Sequence, residues 1–385
     1  MKFWKYGRVA MALIGSIVLG LSITCCGVYT SGYMYVTGAQ YSQIGAFKID
    51  HDFGYLTPVT GSPFASAVKD PVQEVIIPGG RFLAVVNKGS SSVSIYTIGG
   101  AGVLFFQSSY FTSGSNPVSM GISPSGNFLY VVDQYAPDGS GRGDITVFQI
   151  DPSTGKLTLI TNQNTFNTDG SQLPYFEVNY NPVQVVTHGS FAYVLDQAYA
   201  ANSDATGIPP ACLNAPVGSP CSTADVFLYA INSNGQLTLT QNAPLQTGTL
   251  PGAASTIYSS PKYVYIADTE LNNSGSSGRI LPFTVGTSGV LQTLVGGPVP
   301  NVGGASAFPD AIIANSTGQF LYVANFGPGA SIPPSSNISA YTIDPTNGQL
   351  QPLSSAQNPY PSGSGPIWMA LDPTNQYLYT VNFTD

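Results

Sequence analysis

The sequence predicts an all-β protein, and three observations support that fold class. Of its 385 residues, 43 are Gly and 30 are Pro, which disfavours long helices and coiled coils. The 23 Tyr and 19 Phe residues, with 43% hydrophobic and only 8% charged residues, suit half-buried pleated surfaces. A short strand motif also recurs along the whole chain.

The charge balance excludes one large class of partners. Lys and Arg number 11 against 19 Asp and Glu, so the net charge is −8 and no basic stripe is available to neutralise phosphates. We therefore expect no nucleic-acid binding. The chain has two His and four Cys residues, and the sequence predicts no metal site and no cofactor.

The strongest signal is an internal repeat of a short strand that begins with an aromatic residue and in most copies ends in Asn or Asp. The seven copies begin at Tyr33, Phe82, Phe128, Phe191, Tyr263, Phe320 and Tyr377. Their spacings lie between 46 and 72 residues. A period of this length built only of strands is typical of propeller blades.

Further strands surround each copy, which we call strand B. A Pro-led apolar strand A precedes most copies, an alternating strand C follows, and a Gly turn leads to strand D. We therefore predict a seven-bladed β-propeller of four-stranded antiparallel blades over residues 33–385, as a single domain. Residues 366–385 supply only strands A and B, so we expect the last blade to be incomplete and the sequence to lack about 35 residues.

These motifs resemble a known family. The strand [FY]-[LVA]-Y-V-x-[ND], the turn D-P-[ST]-x-G-x-L at 151–157 and 344–350, and the Pro-led strand A resemble the YVTN-repeat, lactonase-like seven-bladed β-propellers. That family includes propeller-type 6-phosphogluconolactonases and a fungal muconate-cycloisomerising relative. The resemblance implies the fold for residues 33–385 and, less specifically, lactone hydrolysis.

Departures from the family pattern weaken the expectation of 6-phosphogluconolactonase activity. The fourth strand A begins Asn181-Pro182-Val183 and lacks the His that the gluconolactonase-type members carry at this point. We expect His188 on the opposite face and His51 in a C–D turn, so no family catalytic residue can be transferred. The starts of the A strands also offer no Lys or Arg for a phosphosugar.

The N-terminus predicts export. Lys2, Lys5 and Arg8 precede an uncharged stretch over 9–24, and residues 1–26 resemble a bacterial lipoprotein signal with Cys25 or Cys26 as the lipidated residue. An ordinary cleaved signal and an uncleaved anchor are the alternatives. We expect an exported protein of the cell envelope, periplasm or exterior, in contact with the membrane only through its N-terminal lipid anchor. In that compartment Cys212 and Cys221 would form a local disulfide.

Long insertions fall in two loop classes that share one propeller face. The B–C connections span about 134–143, 197–224, 269–278 and 326–336, and the long D–A connections about 161–181 and 241–252. Insertions clustered on one face usually mark a binding face, and neutral drift in tolerant loops is the alternative. Their Gly, Ser, Asn, Pro and Tyr content suits neutral polar ligands such as sugars or peptides.

The candidate site residues lie where each strand A begins, at the channel mouth. They are Gln73, Glu74, Ser119, Gln184, Asp310 and Trp368. Glu74 and Asp310 are the carboxylates of this set and could act as a general base for water attacking a lactone, or could simply accept hydrogen bonds from loop amides. Trp368 fits a packing role better than a ligand platform.

The Asn and Asp residues that end strand B suggest turn-capping, with Asp133 and Asp196 as additional ligand candidates because a Tyr-containing loop follows each of them. The loop 138–144 contains the tripeptide RGD and has some of the composition of a calcium loop, but its spacing does not match an EF-hand.

Two functions remain open. The first is an exported lactonase-like propeller that binds a small or sugar-type ligand at the channel mouth, with lactone hydrolysis as the candidate reaction. The second is a non-catalytic envelope propeller that binds a glycan, peptide or protein partner. For either function we expect a monomer.

Overall fold

The computed structural model describes residues 29–197, 224–240, 245–246, 254–268, 278–304, 307–327 and 336–383. Over these ranges the regular structure is almost entirely antiparallel β, with two 3-10 turns at Lys88–Ser90 and Gly100–Gly102. No helix of the described ranges is long and apolar enough to cross a membrane. The predicted signal with Cys25 and Cys26, and the predicted disulfide partners Cys212 and Cys221, lie outside the described residues.

The strands form successive sheets along the chain. The first sheet contains β1 (Thr30–Gly38), β2 (Gln43–Asp50), β3 (Leu56–Pro58) and β4 (Phe64–Ala65). The second contains β5 (Pro71–Ile76), β6 (Phe82–Asn87), β7 (Ser92–Ile98) and β8 (Leu104–Phe111). The third contains β9 (Ser115–Ile122), β10 (Phe128–Tyr135), β11 (Asp144–Ile150), β12 (Leu157–Ile160) and, after a separate hairpin of β13 (Asn162–Phe166) and β14 (Gln172–Leu173), β15 (Phe176–Glu177).

The second half of the chain repeats the arrangement. The fourth sheet contains β16 (Pro182–His188), β17 (Phe191–Asp196), β18 (Asp225–Ile231), β19 (Leu237–Leu239) and β20 (Leu245–Gln246). The fifth contains β21 (Ala254–Ser259), β22 (Tyr263–Asp268), β23 (Arg279–Val285), β24 (Leu291–Thr293) and β25 (Val299–Pro300). The sixth contains β26 (Phe308–Ala314), β27 (Phe320–Phe326), β28 (Asn337–Ile343), β29 (Leu350–Pro352) and β30 (Tyr360–Pro361), and the C-terminal sheet contains β31 (Pro366–Leu371) and β32 (Leu378–Asn382).

The sheets are arranged as a β-propeller, as predicted. In the second to sixth sheets the strands neighbour one another in the predicted order A, B, C, D. The innermost strands β5, β9, β16, β21, β26 and β31 pack beside one another in chain order, and β1 packs beside β5. Apolar clusters fill the spaces between consecutive sheets, so the core is divided into wedges and does not form one central mass. The described strands form six sheets of four or five strands, the two-stranded C-terminal sheet and the separate β13–β14 hairpin.

The sequence predicted one continuous outer strand D in each blade, but in the third sheet this strand is divided in two. In the third sheet β12 pairs with the second half of β11, whereas β15 pairs with Asp144 and Ile145 at its start. The insertion 161–175 therefore interrupts strand D, and the prediction of a D–A connection over 161–181 was wrong. The chain returns to strand C because the backbone groups at its start would otherwise lack partners. A two-residue strand carries no alternation by which a sequence could reveal it.

The repeated aromatic residue of strand B locks neighbouring sheets together. Its ring lies against the Gly of the C–D turn in the next sheet, at a backbone φ between 68° and 83° that favours Gly. A Cβ on these glycines would lie between 2.3 and 2.9 Å from the ring. The pairs are Tyr33 with Gly102, Phe82 with Gly155, Phe128 with Gly235, Phe191 with Gly289, Tyr263 with Gly348 and Tyr377 with Gly54.

The Tyr two residues further along strand B adds a hydrogen bond to the same turn. Four such hydroxyls donate to the carbonyl oxygen of the turn Gly: Tyr35 to Gly102 at 3.1 Å, Tyr193 to Gly289 at 2.6 Å, Tyr265 to Gly348 at 3.2 Å and Tyr379 to Gly54 at 2.8 Å. The last of these bonds joins the C-terminal sheet to the first sheet, so the lock connects the two ends of the array. The buried hydroxyl of Tyr130 lacks a partner among the described residues.

Replacing one of these turn glycines by Ala should destabilise the fold strongly. We expect Gly348→Ala to lower the free energy of unfolding by about 2–5 kcal/mol, because left-handed backbone strain adds to a clash with the Tyr263 ring. Gly318→Ala is the matched control, since Gly318 also has a positive φ of 68° but has no atom near its missing Cβ. The control should lose only about 1–2 kcal/mol in urea unfolding. Equal losses would contradict the proposed lock.

Removing the Tyr hydroxyl should matter only where it is bonded. We expect Tyr193→Phe to cost about 1–2 kcal/mol, because the Gly289 carbonyl loses its donor. Tyr130→Phe should be neutral or stabilising, because it removes a buried hydroxyl without a partner among the described residues. Both variants can be compared by thermal unfolding, and a larger loss for Tyr130→Phe than for Tyr193→Phe would be inconsistent with this account.

Candidate functional site

A β-bulge near the start of every described strand A shapes the channel mouth. In β5, Pro71 pairs with Asn87 and Gln73 pairs with Val86, so Val72 is an extra residue without a partner. The same shift occurs at Val118, Val183, Ser255, Asp310 and Ile367. Strict alternation would send neighbouring side chains to opposite faces, and a bulge re-aims one of them. In five of the six strands, two consecutive residues therefore line the same cavity.

All six predicted channel residues line this cavity, whose volume is about 510 Å³. They are Gln73, Glu74, Ser119, Gln184, Asp310 and Trp368. Sequence reasoning missed the contribution of the first sheet, where Val36, Thr37 and Ala39 also line the cavity. The repeat identified β1 as a strand B, which would normally lie behind a strand A. In the described residues β1 is the innermost strand of its sheet and faces the channel.

Polar side chains of the cavity connect neighbouring inner strands. Gln73 Oε1 accepts a hydrogen bond from the Met120 backbone N–H at 2.6 Å, and Ser119 Oγ accepts one from the Val185 N–H at 3.2 Å. Gln184 Oε1 accepts from the Ile257 N–H at 2.9 Å. These bonds fix the orientation of both Gln side chains. Their amide nitrogens have no acceptor among the described residues and so provide donors for a ligand.

Glu74 and Asp310 are the ionisable side chains among the described residues that line the cavity. Glu74 is half-buried, and burial raises its pKa to about 7, although hydrogen bonds from the side chain and backbone of Thr37 oppose the rise. Asp310 is also half-buried, and burial raises its pKa to about 6. Its carboxylate has no hydrogen-bond partner among the described residues. The predicted role as hydrogen-bond acceptors for loop amides therefore finds no support at Asp310.

Trp368 has 45% of its surface exposed. Its indole therefore offers an apolar face to the cavity. The sequence had favoured a packing role for this residue over a ligand platform. Together the lining groups combine carboxylate acceptors, amide donors and one aromatic face. This combination suits a small polar ligand that carries hydroxyl groups.

The structure does not bring Asp133 and Asp196 to this cavity. Both are buried between strands B and C: Thr146 Oγ1 donates to Asp133 Oδ2 at 3.0 Å, and neither carboxylate oxygen of Asp196 has a partner in the described part of the chain. Their prediction as ligand residues is thus not supported. Burial raises the pKa of Asp133 to about 7, and burial with the nearby Asp133 charge raises that of Asp144 to about 9.

We predicted a turn-capping role for the polar residue that ends strand B, and in two sheets its side chain bonds to strand C. In the fifth and sixth sheets the side chain reaches across to the first residue of strand C. Arg279 Nε donates to Asp268 Oδ2 at 3.3 Å, and Asn325 Nδ2 donates to Asn337 Oδ1 at 2.7 Å. The polar residue therefore ties the two central strands of a blade together where their pairing ends.

Two minor sequence signals can be placed as well. Asp144 of the RGD tripeptide is buried, so this segment is not displayed as an exposed recognition loop. Within the described ranges, no three His, Cys, Asp or Glu side chains lie close enough together to hold a metal ion. His188 Nδ1 lies 3.0 Å from Ser259 Oγ, at the opposite ends of their strands from the cavity, as expected for a His outside the site.

Burial of Glu74 should make stability depend on pH. Its folded pKa of about 7 exceeds its ordinary value of 4.5, so the folded state holds the proton more tightly and loses stability as pH rises from about 4.5 to 7. We expect the free energy of unfolding to fall by about 1–3 kcal/mol less in Glu74→Gln than in the wild type when the pH is raised from 4 to 8. Asp52→Asn, in an exposed turn, is the control. A Glu74→Gln profile parallel to that of the wild type would show that Glu74 is ordinarily solvated.

Comparisons with known proteins agree with this fold. Residues 28–170 match the family described as Lactonase, 7-bladed beta-propeller. A solved structure of a candidate 6-phosphogluconolactonase from Bacteroides fragilis is similar with a TM-score of 0.56 and 19% identity, covering 84% of this chain and 79% of that chain. The corresponding candidate from Bacteroides uniformis gives 0.55 and 16%, with 84% and 80% coverage.

A functionally unknown protein from Desulfotomaculum acetoxidans is also similar, with a TM-score of 0.58 at 12% identity over 91% of this chain and 88% of that chain. No curated protein matches the chain. At these identities the solved structures support the fold alone. The family match over residues 28–170 and the propeller fold support the resemblance to the lactonase-like propellers that the repeats predicted.

Proposed function

We propose that the channel cavity binds an unphosphorylated sugar-type lactone and hydrolyses it, with Glu74 as general base. The observation that carries this proposal is a carboxylate with a pKa of about 7 in a cavity of about 510 Å³ that also offers fixed amide donors. A base works best when its pKa lies near the working pH. Thr37 orients Glu74, whereas Asp310 lacks such support from the described residues and has the lower pKa.

In this mechanism ionised Glu74 takes a proton from water as the water oxygen attacks the lactone carbonyl carbon. The amide groups of Gln73 and Gln184 are the available donors for the resulting oxyanion. Collapse of the intermediate breaks the ring C–O bond, and the leaving oxygen takes the proton back from Glu74. The product is an open-chain hydroxy acid, and Glu74 is regenerated as a carboxylate.

The charge of the cavity favours a neutral substrate over a phosphorylated one. Two carboxylates line it, and the described lining residues include no Lys, Arg or His. A phosphate dianion near these groups would be repelled, since phosphate sites depend on cations or clustered N–H donors. We therefore place the substrate among uncharged lactones, in contrast to the 6-phosphate named for the two Bacteroides structures.

We also propose that the C-terminal sheet occupies a seventh blade position. Its strand β31 carries the same bulge as the other inner strands, and Tyr377 and Tyr379 contact Gly54 of the first sheet as the other locks do. Six larger sheets and this one give seven positions, which agrees with the family description. Export to the cell envelope remains a proposal based on residues 1–26.

A non-catalytic binding propeller is the second candidate. It is favoured by the use of Gln73, Ser119 and Gln184 as links between inner strands, because such links stabilise a channel whether or not it carries out chemistry. In that case the cavity would hold a neutral glycan or peptide without turning it over. For both candidate functions we propose a monomer that does not bind nucleic acid.

Acid release from gluconolactone, followed by pH-stat above the spontaneous rate, tests the proposed hydrolase. We expect turnover that increases as pH rises through about 7 and falls at least 100-fold in Glu74→Gln, because the base is lost. Asp310→Asn should have a smaller effect, exposed Asp52→Asn should have none, and the 6-phosphate should react more slowly.

Binding without turnover would identify the second candidate. The sequence contains two Trp residues, and Trp368 lines the cavity. Quenching of its fluorescence by gluconolactone, abolished in Trp368→Phe, would report binding when no acid is released. Turnover that persists in Glu74→Gln would instead refute the assignment of the base.

A further inference from the structure

We propose that a second pocket, on the same end of the propeller as the channel cavity, binds a zwitterionic small molecule of the α-amino acid type. The pocket has a volume of about 250 Å³ and is lined by Asp138, Ser140, Arg142, Glu177 and Tyr180, together with Ala136 and Gly143. This site is independent of the lactone site and of the reaction proposed there.

The pocket is preformed by hydrogen bonds within the loop between β10 and β11. Asp138 Oδ1 accepts from the Ser140 N–H at 2.9 Å, and Ser140 Oγ accepts from the Arg142 N–H at 3.2 Å. The Ala136 N–H donates to the Arg142 carbonyl at 2.7 Å, which closes the loop. The Gly143 N–H donates to the Asn179 carbonyl at 3.0 Å and fixes the loop to the opposite wall. The backbone of the pocket is therefore already ordered before a ligand binds.

The charged side chains of the pocket are not paired with one another among the described residues. The Arg142 guanidinium lies over the Tyr180 ring, 5.5 Å from its centroid, and forms no ion pair with a carboxylate of the described residues. Asp138 and Glu177 line the same pocket. Arg142 therefore retains donors suited to a carboxylate, and the two acids retain acceptors suited to an ammonium group.

This charge pattern selects the ligand class. One guanidinium and two carboxylates give the pocket a net charge of −1, which disfavours a plain anion. A plain cation would leave the Arg142 charge without a partner. A molecule with both a carboxylate and an ammonium group complements both sides, and a pocket of about 250 Å³ holds a ligand of single amino-acid size.

The position of the pocket supports a binding role on the insertion-rich face. A Cβ on Gly143 would lie 2.3 Å from Pro182, the first residue of β16, so the loop packs directly on this inner strand. Tyr180 lines the second pocket, and Val183, three residues later, lines the channel cavity. A trans chain of three residues spans at most about 11 Å, so the two cavities are close neighbours.

Calorimetric titration of the full chain with a panel of the free amino acids tests the proposal. We expect at least one to bind, and its N-acetyl and methyl-ester derivatives to bind at least tenfold more weakly because each lacks one charge. Arg142→Gln and Glu177→Gln should each weaken binding at least tenfold. Arg81→Gln is the matched control: Arg81 lies 5.3 Å from the Phe82 ring centroid in an A–B turn, at the other end of its sheet.

The outcomes separate this site from the channel. Glu74→Gln should bind the amino acid as the wild type does, and a protein without lactone turnover should still bind it. Loss of binding in Glu74→Gln, equal binding of the blocked derivatives, or an equal loss in Arg81→Gln would each overturn the proposal. Failure of every amino acid to bind to the folded protein would do so as well.

Discussion

The contact between an aromatic ring and a left-handed glycine in the next sheet is the interaction on which the propeller depends. Each such contact joins the ring of one strand B to the C–D turn of the neighbouring sheet, so every contact fixes one sheet against the next. The same geometry recurs from Tyr33 on Gly102 to Tyr377 on Gly54. Because a Cβ cannot fit between ring and turn, the glycines and the aromatic residues depend on each other.

This contact determines how the inner strands are positioned around the channel cavity. Sheets held at fixed positions bring their inner strands together, and the bulge at the start of each strand A then directs adjacent side chains into one cavity. Gln73, Ser119 and Gln184 link neighbouring strands across the sheets, which makes this part of the cavity wall a continuous hydrogen-bonded surface. The carboxylates of Glu74 and Asp310 are thus held in a partly dehydrated space, and burial raises the pKa of each.

Much of this arrangement could be predicted from the sequence, because the repeat fixes which residues occupy equivalent positions. The six channel residues were found because each follows the start of a strand A. The role of Asp133 and Asp196 could not be predicted. The alternation of a strand does not tell whether a polar residue at its end faces a loop or the neighbouring strand. Thr37 was missed because it faces the cavity only where β1 is the innermost strand of its sheet, and the repeat predicted a strand A in that position. The pocket around Arg142 depends on two distant loop segments whose contact no repeat specifies.

The central claim is that burial in a shared cavity holds Glu74 and Asp310 at raised pKa values. Carboxyl carbon NMR titration of selectively labelled protein, with Glu74→Gln and Asp310→Asn used for assignment, tests it most directly. The account predicts midpoints of about 7 for Glu74 and about 6 for Asp310. Midpoints near 4 for both groups would show that water solvates them freely, and would contradict the proposed base and the cavity environment on which it rests.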